Sequence, residues 1–240
     1  MQRLPERDYM SVLDARTEEE LKRRIVRVTH QLGFRTVTAM VVVDHVHRPT
    51  EFASIDNGPA DYQELANDES LAQRDPVMQH CKHHSLPIVW NQSTYVTAGQ
   101  ADKWEMQAAY GYRHGIAVAM HMPKGRHFML ALDREEPLPA DQNVITQAVA
   151  AVQLFAVYAE DAASRLLRST ERAPEHAALT TRELETLRWT MEGKTAWEIG
   201  RILGIAENTV IRHAANASRK LDCTSKHHAV VKALRYGLIW

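Results

Sequence analysis

Two amphipathic patterns separated by a glycine lie near the end of the chain. Apolar residues recur at helical spacing over the short segment Ala196–Leu203, which ends at Gly204, and again over the longer segment Glu207–Leu221. Further helical patterns precede and follow this pair. A short helix, a glycine-containing turn and a longer helix with polar and basic residues on its outer side are typical of a helix-turn-helix. We therefore predict an all-α, four-helix unit over residues 179–240, with the helix-turn-helix at about 196–215.

The two helices of this motif divide into an inward and an outward face. The residues expected to seal them together are apolar: Ile199, Ile202, Leu203, Ile205 and Val210. The start of the second helix is the part that enters the major groove, where Asn and Arg contact base edges. Lysine and arginine nearby suit phosphate contacts, which fix the register without reading the sequence. The predicted DNA interface comprises Lys194, Thr195, Asn208, Thr209, Arg212, His213, Asn216, Arg219, Lys220 and Lys226.

Charge is unevenly divided along the chain. Residues 179–240 carry 10 Lys and Arg against 6 Asp and Glu, whereas residues 1–178 carry 19 against 24. The net charge of −1 is therefore the sum of a basic C-terminal segment and an acidic remainder of the chain. That asymmetry is expected when one domain meets a polyanion such as double-stranded DNA. Taken alone, the same charge also fits a plain helical bundle with a solvated charged face.

Composition and length exclude several other classes of protein. With 240 residues, 45% of them hydrophobic and 25% charged, the chain has the composition of one large or two modest globular domains. Its apolar runs fall short of the roughly 18–20 residues of a membrane span. The first ten residues lack the apolar core of a signal peptide. Cys81 and Cys223 are expected to be reduced thiols. We expect a cytoplasmic protein with no membrane partner.

The first two thirds of the chain alternate between helical and extended patterns. A capped amphipathic helix begins at Thr17, and a β-branched strand follows at Val37–Val43. Two more strands, Gly115–Met122 and His127–Asp133, flank a segment with the residues of a hairpin turn. These patterns predict an α+β domain over residues 1–167, with a small, mainly antiparallel sheet flanked by helices.

A long helix closes this domain, from Gln142 to about Leu167. Apolar residues are distributed around it more widely than one core face needs. We expect it to supply a homodimer contact, which two-fold docking of helix-turn-helix units on an inverted repeat requires. The following residues, 168–178, are polar, non-periodic and contain a proline, which predicts a linker.

The C-terminal segment resembles the helix-turn-helix domain of LuxR-type transcriptional regulators. The resemblance rests on Glu183, Leu187 and Gly193, on the EGKT and EIG sequences, on NTV..H..N..RKL and on the terminal GLI. It covers the last 62 residues and implies a transcriptional regulator that binds double-stranded DNA. Ile211 stands where relatives often carry a basic or polar residue, so a base preference does not transfer.

The front domain resembles the autoinducer-binding domain of the LuxR quorum-sensing subfamily. The resemblance rests on Arg74-Asp75-Pro76-Val77, Leu86-Pro87-Ile88-Val89-Trp90, Tyr95 and Gly115 at matching spacing. In that family a buried Asp accepts the amide N–H of the ligand and a Trp packs on its lactone ring. The resemblance therefore implies an amide acceptor at Asp75, a ring wall at Trp90, and a sensor pocket lined also by Tyr62, Val77, Tyr95, Trp104, Gly115 and Ala131. A ligand donor that satisfies a buried carboxylate also stabilises the fold.

The family pattern weakens upstream of Asp75. Relatives carry a Tyr-Pro pair, then Trp, then Tyr, whereas here Tyr62 stands at the Trp position and Gly58 and Ala66 at the Tyr positions. A position that bears a hydroxyl in relatives falls on Ala131. We expect a pocket that has lost aromatic walls and gained volume. Two hypotheses follow: the chain binds an acyl-homoserine lactone with a long or unusual acyl group, or it is an orphan (solo) regulator that binds DNA without the lactone or responds to another small molecule.

Other polar clusters favour structural interpretations. His80 and His84 have the i, i+4 spacing of two metal ligands, but no third ligand is evident, so exposed helix histidines are the simpler interpretation. The same holds for His45 and His47. The charge run Asp133–Glu136 follows a strand and is interpreted as solvated surface. An enzyme such as a lactone hydrolase is the rival class, but no metal-hydrolase, GxSxG or phosphate-loop motif is present. We therefore expect neither catalysis nor a cofactor or metal.

Overall fold

The computed structural model describes residues 4–44, 50–66, 69–123, 125–167 and 179–240, without the side chains of 64–66, 69 and 70. The chain divides into two compact units, described separately below. The N-terminal unit contains Met1–Met122 and Arg126–Ser169, and the C-terminal unit contains Thr170–Trp240. The linker predicted at 168–178, and His45 and His47, lie outside the described residues. Among the helices that are described, none has the length and apolar character needed to cross a membrane.

In the described part of the N-terminal unit, a five-stranded antiparallel sheet lies at the centre. The strand order is β2-β1-β5-β4-β3, and each neighbouring pair is antiparallel. This confirms the predicted α+β class. The edge strand β2 was not predicted, because its exposed Phe52 and buried Ile55 do not follow a strict alternation of polar and apolar residues. The strands are β1 (Thr36–Val43), β2 (Glu51–Asp56), β3 (Ile88–Trp90), β4 (His114–Met122) and β5 (Arg126–Arg134).

Helices surround this sheet. The helix predicted from Thr17 is present, and the Thr17 hydroxyl caps it by accepting the backbone N–H of Glu20 at 3.2 Å. The last helix, Gln142–Leu166, is capped by Asp141 in the same way. The helices are α1 (Glu6–Met10), continued by a 3₁₀ turn (Ser11–Asp14), α2 (Glu18–Gln31), α3 (Ala60–Ala66), α4 (Glu69–Arg74), α5 (Pro76–His83), α6 (Gln92–Thr97), α7 (Ala101–Ala108) and α8 (Gln142–Leu166).

The two faces of the sheet bury different kinds of side chain. On one face, residues such as Phe128, Leu130 and Leu132 of β5 pack with α2 and α8 in the larger hydrophobic core. Side chains alternate along a strand, so Met129 and Asp133 point to the opposite face. That face carries a second, smaller cluster rich in tyrosine and tryptophan. The candidate ligand site lies in this second cluster.

The C-terminal unit is helical, as predicted. Its described helices are α9 (Thr181–Met191), α10 (Ala196–Leu203), α11 (Glu207–Lys220) and α12 (Lys226–Arg235). The α10–α11 pair is the expected helix-turn-helix.

Two glycines shape the turn between α10 and α11. Gly204 ends α10 with φ 68°, a left-handed conformation that favours glycine. Gly200 lets the turn approach α10 closely, since a Cβ there would stand 2.8 Å from the Ile205 carbonyl oxygen. Of the residues predicted to seal the pair, Ile199 and Val210 are buried, but Ile202 is 46% exposed. The prediction for Ile202 was wrong because α10 turns this position away from α11.

Candidate functional site

A row of residues crosses four strands on the aromatic face of the sheet. Trp90 of β3 lies opposite Gly115 of β4, which lies opposite Asp133 of β5, and Asp133 lies opposite Thr36 of β1. The row beyond it includes Ala117 and Ala131. Small side chains on β4 and β5 therefore lie among larger polar and aromatic side chains on this face of the sheet.

Asp75 occupies the position that the family resemblance assigns to the ligand's amide acceptor. The side chain is buried, and it caps α5 by accepting the backbone N–H groups of Val77 at 2.8 Å and Met78 at 3.1 Å. The Tyr95 hydroxyl and the Lys103 ammonium each lie 3.3 Å from it. These four donors occupy the acceptor positions of the carboxylate. The two longest contacts, from Tyr95 and Lys103, are the ones that a ligand donor can most readily replace.

Part of the aromatic wall is supplied from another segment of the chain. Tyr62 stacks on Tyr112 with ring centroids 4.2 Å apart, and it meets Tyr110 at 5.4 Å. A Cβ on Gly58 would overlap the Tyr112 hydroxyl, so Tyr112 fills the space next to the glycine. Tyr112, from the connection between α7 and β4, therefore supplies an aromatic ring beside Gly58, and the expected loss of aromatic walls and gain in pocket volume stay predictions. The side chain at Ala66 lies outside the described part of the chain.

Asp133 is buried, contrary to its interpretation as solvated surface. Only 3% of the residue is exposed, whereas Glu135 of the same charge run is half-buried and Glu136 is exposed. Asp133 lies within β5, where alternation places it on the same face as Met129 and Ala131, whereas the two glutamates follow the last residue of the strand. Burial, with the neighbouring charges of Asp56 and Asp75, holds the pKa of the Asp133 carboxyl well above its usual range.

The tyrosines of the site are neutral hydrogen-bonding groups. Burial, with the charges of Asp133, Asp75 and Asp56, raises the pKa of the Tyr62 hydroxyl. Burial is also the main reason that the pKa values of Tyr95 and Tyr112 are raised. Each hydroxyl therefore keeps its proton near neutral pH and can donate to a ligand carbonyl.

The predicted pocket residues come together in one cluster. Val77, Trp90 and Tyr95 are buried in it, and the partly buried members include Tyr62, Trp104 and Ala131. The Trp104 indole N–H donates to the Arg113 carbonyl at 3.3 Å, so this side chain is held at the rim.

The sequence interpretation missed four polar residues of the site. Tyr112 and Asp133 could have been found, since the first lies just before β4 and the second falls on the inward side of the β5 alternation. Lys103 and Gln107 are both buried on α7, four residues apart. Lysine and glutamine at i, i+4 are ordinary on an exposed helix face, so their pattern gave no signal.

The predicted DNA-binding residues lie on or beside α11. Asn208, Arg212 and Arg219 are exposed, and Thr209, His213 and Asn216 are partly exposed. A cleft of about 700 Å³ in this unit is lined in part by Lys194, Arg219 and Lys226. These cations are accessible for phosphate contacts.

Three of the predicted DNA-binding residues have partners within this unit, and one of them, Lys194, forms an ion pair with Glu198 at 4.0 Å. The Lys220 ammonium contacts the buried Glu183 carboxylate at 2.8 Å and ties α11 to α9. Burial alone would raise the pKa of Glu183, but hydrogen bonds from Lys220 and Thr180 lower it overall. Thr195 caps α10, and its hydroxyl and backbone N–H each lie 2.8 Å from the Glu198 carboxylate.

The histidines on α5 interact with each other and with the backbone. The rings of His80 and His84 lie 5.0 Å apart, and His80 Nε2 is 2.8 Å from the Leu86 carbonyl oxygen. Within the described part of the chain, no group of three or more His, Cys, Asp or Glu side chains is arranged to hold a metal ion.

The fold and the two sites define a class of protein. An α+β domain with a buried polar and aromatic cluster, combined with a helix-turn-helix whose second helix is exposed, is the architecture of a sensor-regulated DNA-binding protein.

Comparison with known families specifies that class. Residues 17–163 match the autoinducer binding domain, and residues 177–233 match the bacterial regulatory proteins of the luxR family. The chain belongs to the luxR family, as a quorum-sensing transcriptional regulator with an autoinducer-binding domain. Both predicted resemblances are confirmed, and the family consists of regulators rather than enzymes.

Relatives of known name cover most of the chain. The transcriptional activator protein SolR of Ralstonia nicotianae is 34% identical over 232 residues, which cover 96% of this chain and 97% of SolR. AnoR of Acinetobacter nosocomialis is 30% identical over 185 residues, or 77% of each chain. Among solved structures, Escherichia coli SdiA has a TM-score of 0.72 at 27% identity, covering 96% of this chain and 95% of its own. SdiA in complex with octanoyl-rac-glycerol has a TM-score of 0.75 at 25% identity, covering 99% and 98%.

Proposed function

We propose that the N-terminal unit binds an acyl-homoserine lactone or a related apolar acyl amide, and that this ligand regulates DNA binding by a homodimer. The main support is a cluster in which buried polar groups surround a floor of small side chains. Among the described residues, the Trp90 indole N–H is buried and has no acceptor. Buried donors in native proteins are almost always paired, so an unpaired one beside a floor of small side chains favours a bound ligand.

The ligand's amide is proposed to bind at Asp75. Its N–H can replace the 3.3 Å contact from Tyr95 or Lys103, because those contacts are longer than ordinary charge-assisted hydrogen bonds. The displaced Tyr95 hydroxyl can then donate to a ligand carbonyl. The acyl chain would lie along the floor formed by Ala117, Ala131 and Met129. SdiA, which shares this fold, has been solved with an octanoyl ester, and this supports a pocket for medium acyl chains.

Calorimetric titration with N-octanoyl-homoserine lactone tests this proposal. We expect saturable binding to the full chain at a stoichiometry of one ligand per protomer. Asp75→Asn removes a charged acceptor, so we expect affinity to fall by about tenfold or more. Glu136→Gln changes an exposed carboxylate of the same unit and serves as the matched control. A wild-type chain that binds no lactone and no other acyl amide would overturn the proposal.

A solo regulator that functions without the lactone is the second candidate, and one observation favours it. Lys103 already pairs with Asp75 at 3.3 Å, so the charge of the buried carboxylate is compensated by the chain itself. Operator binding by purified protein, measured with and without lactone, separates the two candidates. Equal affinity in both conditions would favour the solo regulator.

The proposed DNA contacts are made by the exposed side of α11 and the cations beside it. Asn208, Thr209, Arg212, His213 and Asn216 are assigned to base edges, and Lys194, Arg219 and Lys226 to phosphates. Thr195 and Lys220 are assigned mainly structural roles, because Glu198 and Glu183 already bind them.

The proposed dimer uses the outer face of α8. Ala150, Leu154 and Val157 are exposed at the i, i+4, i+7 spacing of a single helical stripe, and Leu154 and Val157 are 42% and 54% exposed. An exposed apolar stripe on the longest described helix suits a two-fold, helix-to-helix contact. A dimer places two α11 helices on one inverted-repeat operator.

A further inference from the structure

We propose that Ile211 contacts the C5 methyl group of a thymine in the major groove and so makes thymine the preferred base at one position of each operator half-site. The inference rests on the proposed function, because it assigns base specificity to the helix that is proposed to enter the groove. It starts from Ile211 itself, an aliphatic side chain that is 52% exposed on α11.

Beyond its first residue, the exposed residues of α11 share one face of the helix, because each lies three or four residues from another. They are Asn208, Ile211, Arg212, Ala215 and Arg219. Ile211 lies in the first half of α11, between the two polar residues Asn208 and Arg212 that are proposed to contact base edges. The N-terminal part of such a helix is the part that reaches the bases. Ile211 therefore faces the same surface as those two proposed contacts.

The surroundings of Ile211 are positively charged. Ile211 lines the cleft of about 700 Å³ in the C-terminal unit. The described residues of its lining include three cations, Lys194, Arg219 and Lys226, and a single carboxylate, that of Asp222. Such cations attract phosphates, which would hold α11 against the bases. Single exposed aliphatic residues are common on protein surfaces, so the position of Ile211 among these cations, and not its exposure alone, is what indicates DNA as its partner.

The chemistry of the major groove selects the partner of an aliphatic side chain. Base edges there present hydrogen-bond donors and acceptors, and thymine alone adds a methyl group, at C5. Isoleucine has no hydrogen-bonding side chain, so against another base it would cover donors or acceptors without replacing their bonds to water, which is unfavourable. Against the thymine methyl it removes apolar surface of both molecules from water. The favoured contact of Ile211 is therefore a thymine.

Uracil tests this contact directly, because it pairs as thymine does and lacks only the methyl group. Selection from duplexes of random sequence, with the purified full chain and with N-octanoyl-homoserine lactone present or absent, supplies a binding site. Each thymine of that site is then replaced in turn by uracil, and fluorescence anisotropy gives the affinities. We expect at least one replacement in each half-site to weaken binding by about fourfold, the effect of losing one buried methyl-sized group.

Two variants connect the uracil effect to Ile211. Ile211→Ala shortens an exposed side chain, so the variant should keep its melting temperature. Its response to the same uracil should fall below about twofold, because the methyl has lost its partner. Ile202→Ala is the matched control, since Ile202 is an isoleucine of the same unit and is 46% exposed on α10. This control should retain the full response of the wild type.

Failure of this inference and failure of the proposed function give different results. A selected site without thymine, or one in which no uracil weakens binding, overturns the inference alone, and is the result expected if the exposed Ile211 contacts another protein instead. A uracil response as large in Ile211→Ala as in the wild type also overturns it. Binding of no duplex, with or without the lactone, overturns the proposed DNA binding together with the inference.

Discussion

At the scale of single residues, Asp133 occupies a destabilising position within the buried polar cluster. Its carboxyl is buried near Asp56 and Asp75, and its pKa is raised in the folded protein. In the unfolded chain an Asp titrates near pH 3.9. Above that pH the folded protein retains a proton that the unfolded chain has lost. Stability therefore falls as pH rises from about 4 through the folded pKa.

Asp133→Asn should thus stabilise the ligand-free protein. We expect a gain on the order of 1–3 kcal/mol at neutral pH, because an uncharged amide costs less to bury than a carboxylate. The gain should be small near pH 4 and increase at higher pH. Thermal melts of both proteins at pH 4.5 and 7.5 measure it, with Glu136→Gln as an exposed control. A neutral-pH melting temperature that does not rise would contradict the assigned burial.

Two neighbouring cations at the end of α11 should behave differently. Lys220 is bound to the buried Glu183, so Lys220→Ala leaves that carboxylate without its counter-ion and should cost about 1–3 kcal/mol of stability. Arg219 is exposed, so Arg219→Ala should leave the melting temperature within about 1 °C.

Affinity for operator DNA should depend on the two residues in the opposite order, with a larger loss for Arg219→Ala than for Lys220→Ala. Arg219→Ala should weaken affinity for operator and non-operator DNA alike and lower the salt dependence of log K by about one. Fluorescence anisotropy across a salt series, together with calorimetric melts, measures both effects. Equal loss of stability in the two variants would show that Lys220 has no special structural role.

At the scale of elements, capping residues, glycines and apolar periodicity in the sequence predicted where the longer helices begin and end. Thr17 begins α2, and Gly204 ends α10 in the left-handed conformation that its position suggested. The short helices α4 and α6 were missed, since six residues are too few to show a helical period. Lys103 was also missed, because its ion pair with Asp75 joins α7 to the start of α5, and single-sequence patterns do not report contacts between distant elements.

The stripe on α8 yields the prediction for this scale. Replacing Leu154 and Val157 together by Glu should convert the proposed dimer to a monomer, because two buried charges would face their copies across a two-fold axis. Both positions are exposed within one chain, so the monomer's melting temperature should change little.

Analytical ultracentrifugation at micromolar concentration, with and without DNA, gives the oligomeric state. Phe52→Glu is the matched control, because Phe52 is 62% exposed on β2 and lies outside the stripe. A wild-type monomer in both conditions, or a dimer that survives the double substitution, would count against this interface.

At the scale of the whole molecule, the class of regulator followed from the sequence, but the character of its pocket did not. Motif spacing identified Asp75 and Trp90. The stacking of Tyr112 on Tyr62 and the ion pair between Lys103 and Asp75 are contacts between elements distant in sequence, so motif spacing did not predict them. Those contacts decide whether folding needs a ligand.

The Lys103–Asp75 pair leads to a prediction about ligand dependence. With Lys103 present, the wild-type chain should fold without lactone, and ligand should raise its melting temperature modestly. Lys103→Met keeps the side-chain volume but leaves the buried carboxylate without its counter-ion, which should cost about 3 kcal/mol. An acyl amide at a hundredfold its Kd restores about 2.7 kcal/mol. The variant should therefore need ligand for both stability and operator binding. Melts and operator titrations with and without N-octanoyl-homoserine lactone measure this, and Lys82→Met, at an exposed site on α5, is the control. A Lys103→Met protein as stable as wild type without ligand would show that the ion pair does not substitute for the signal.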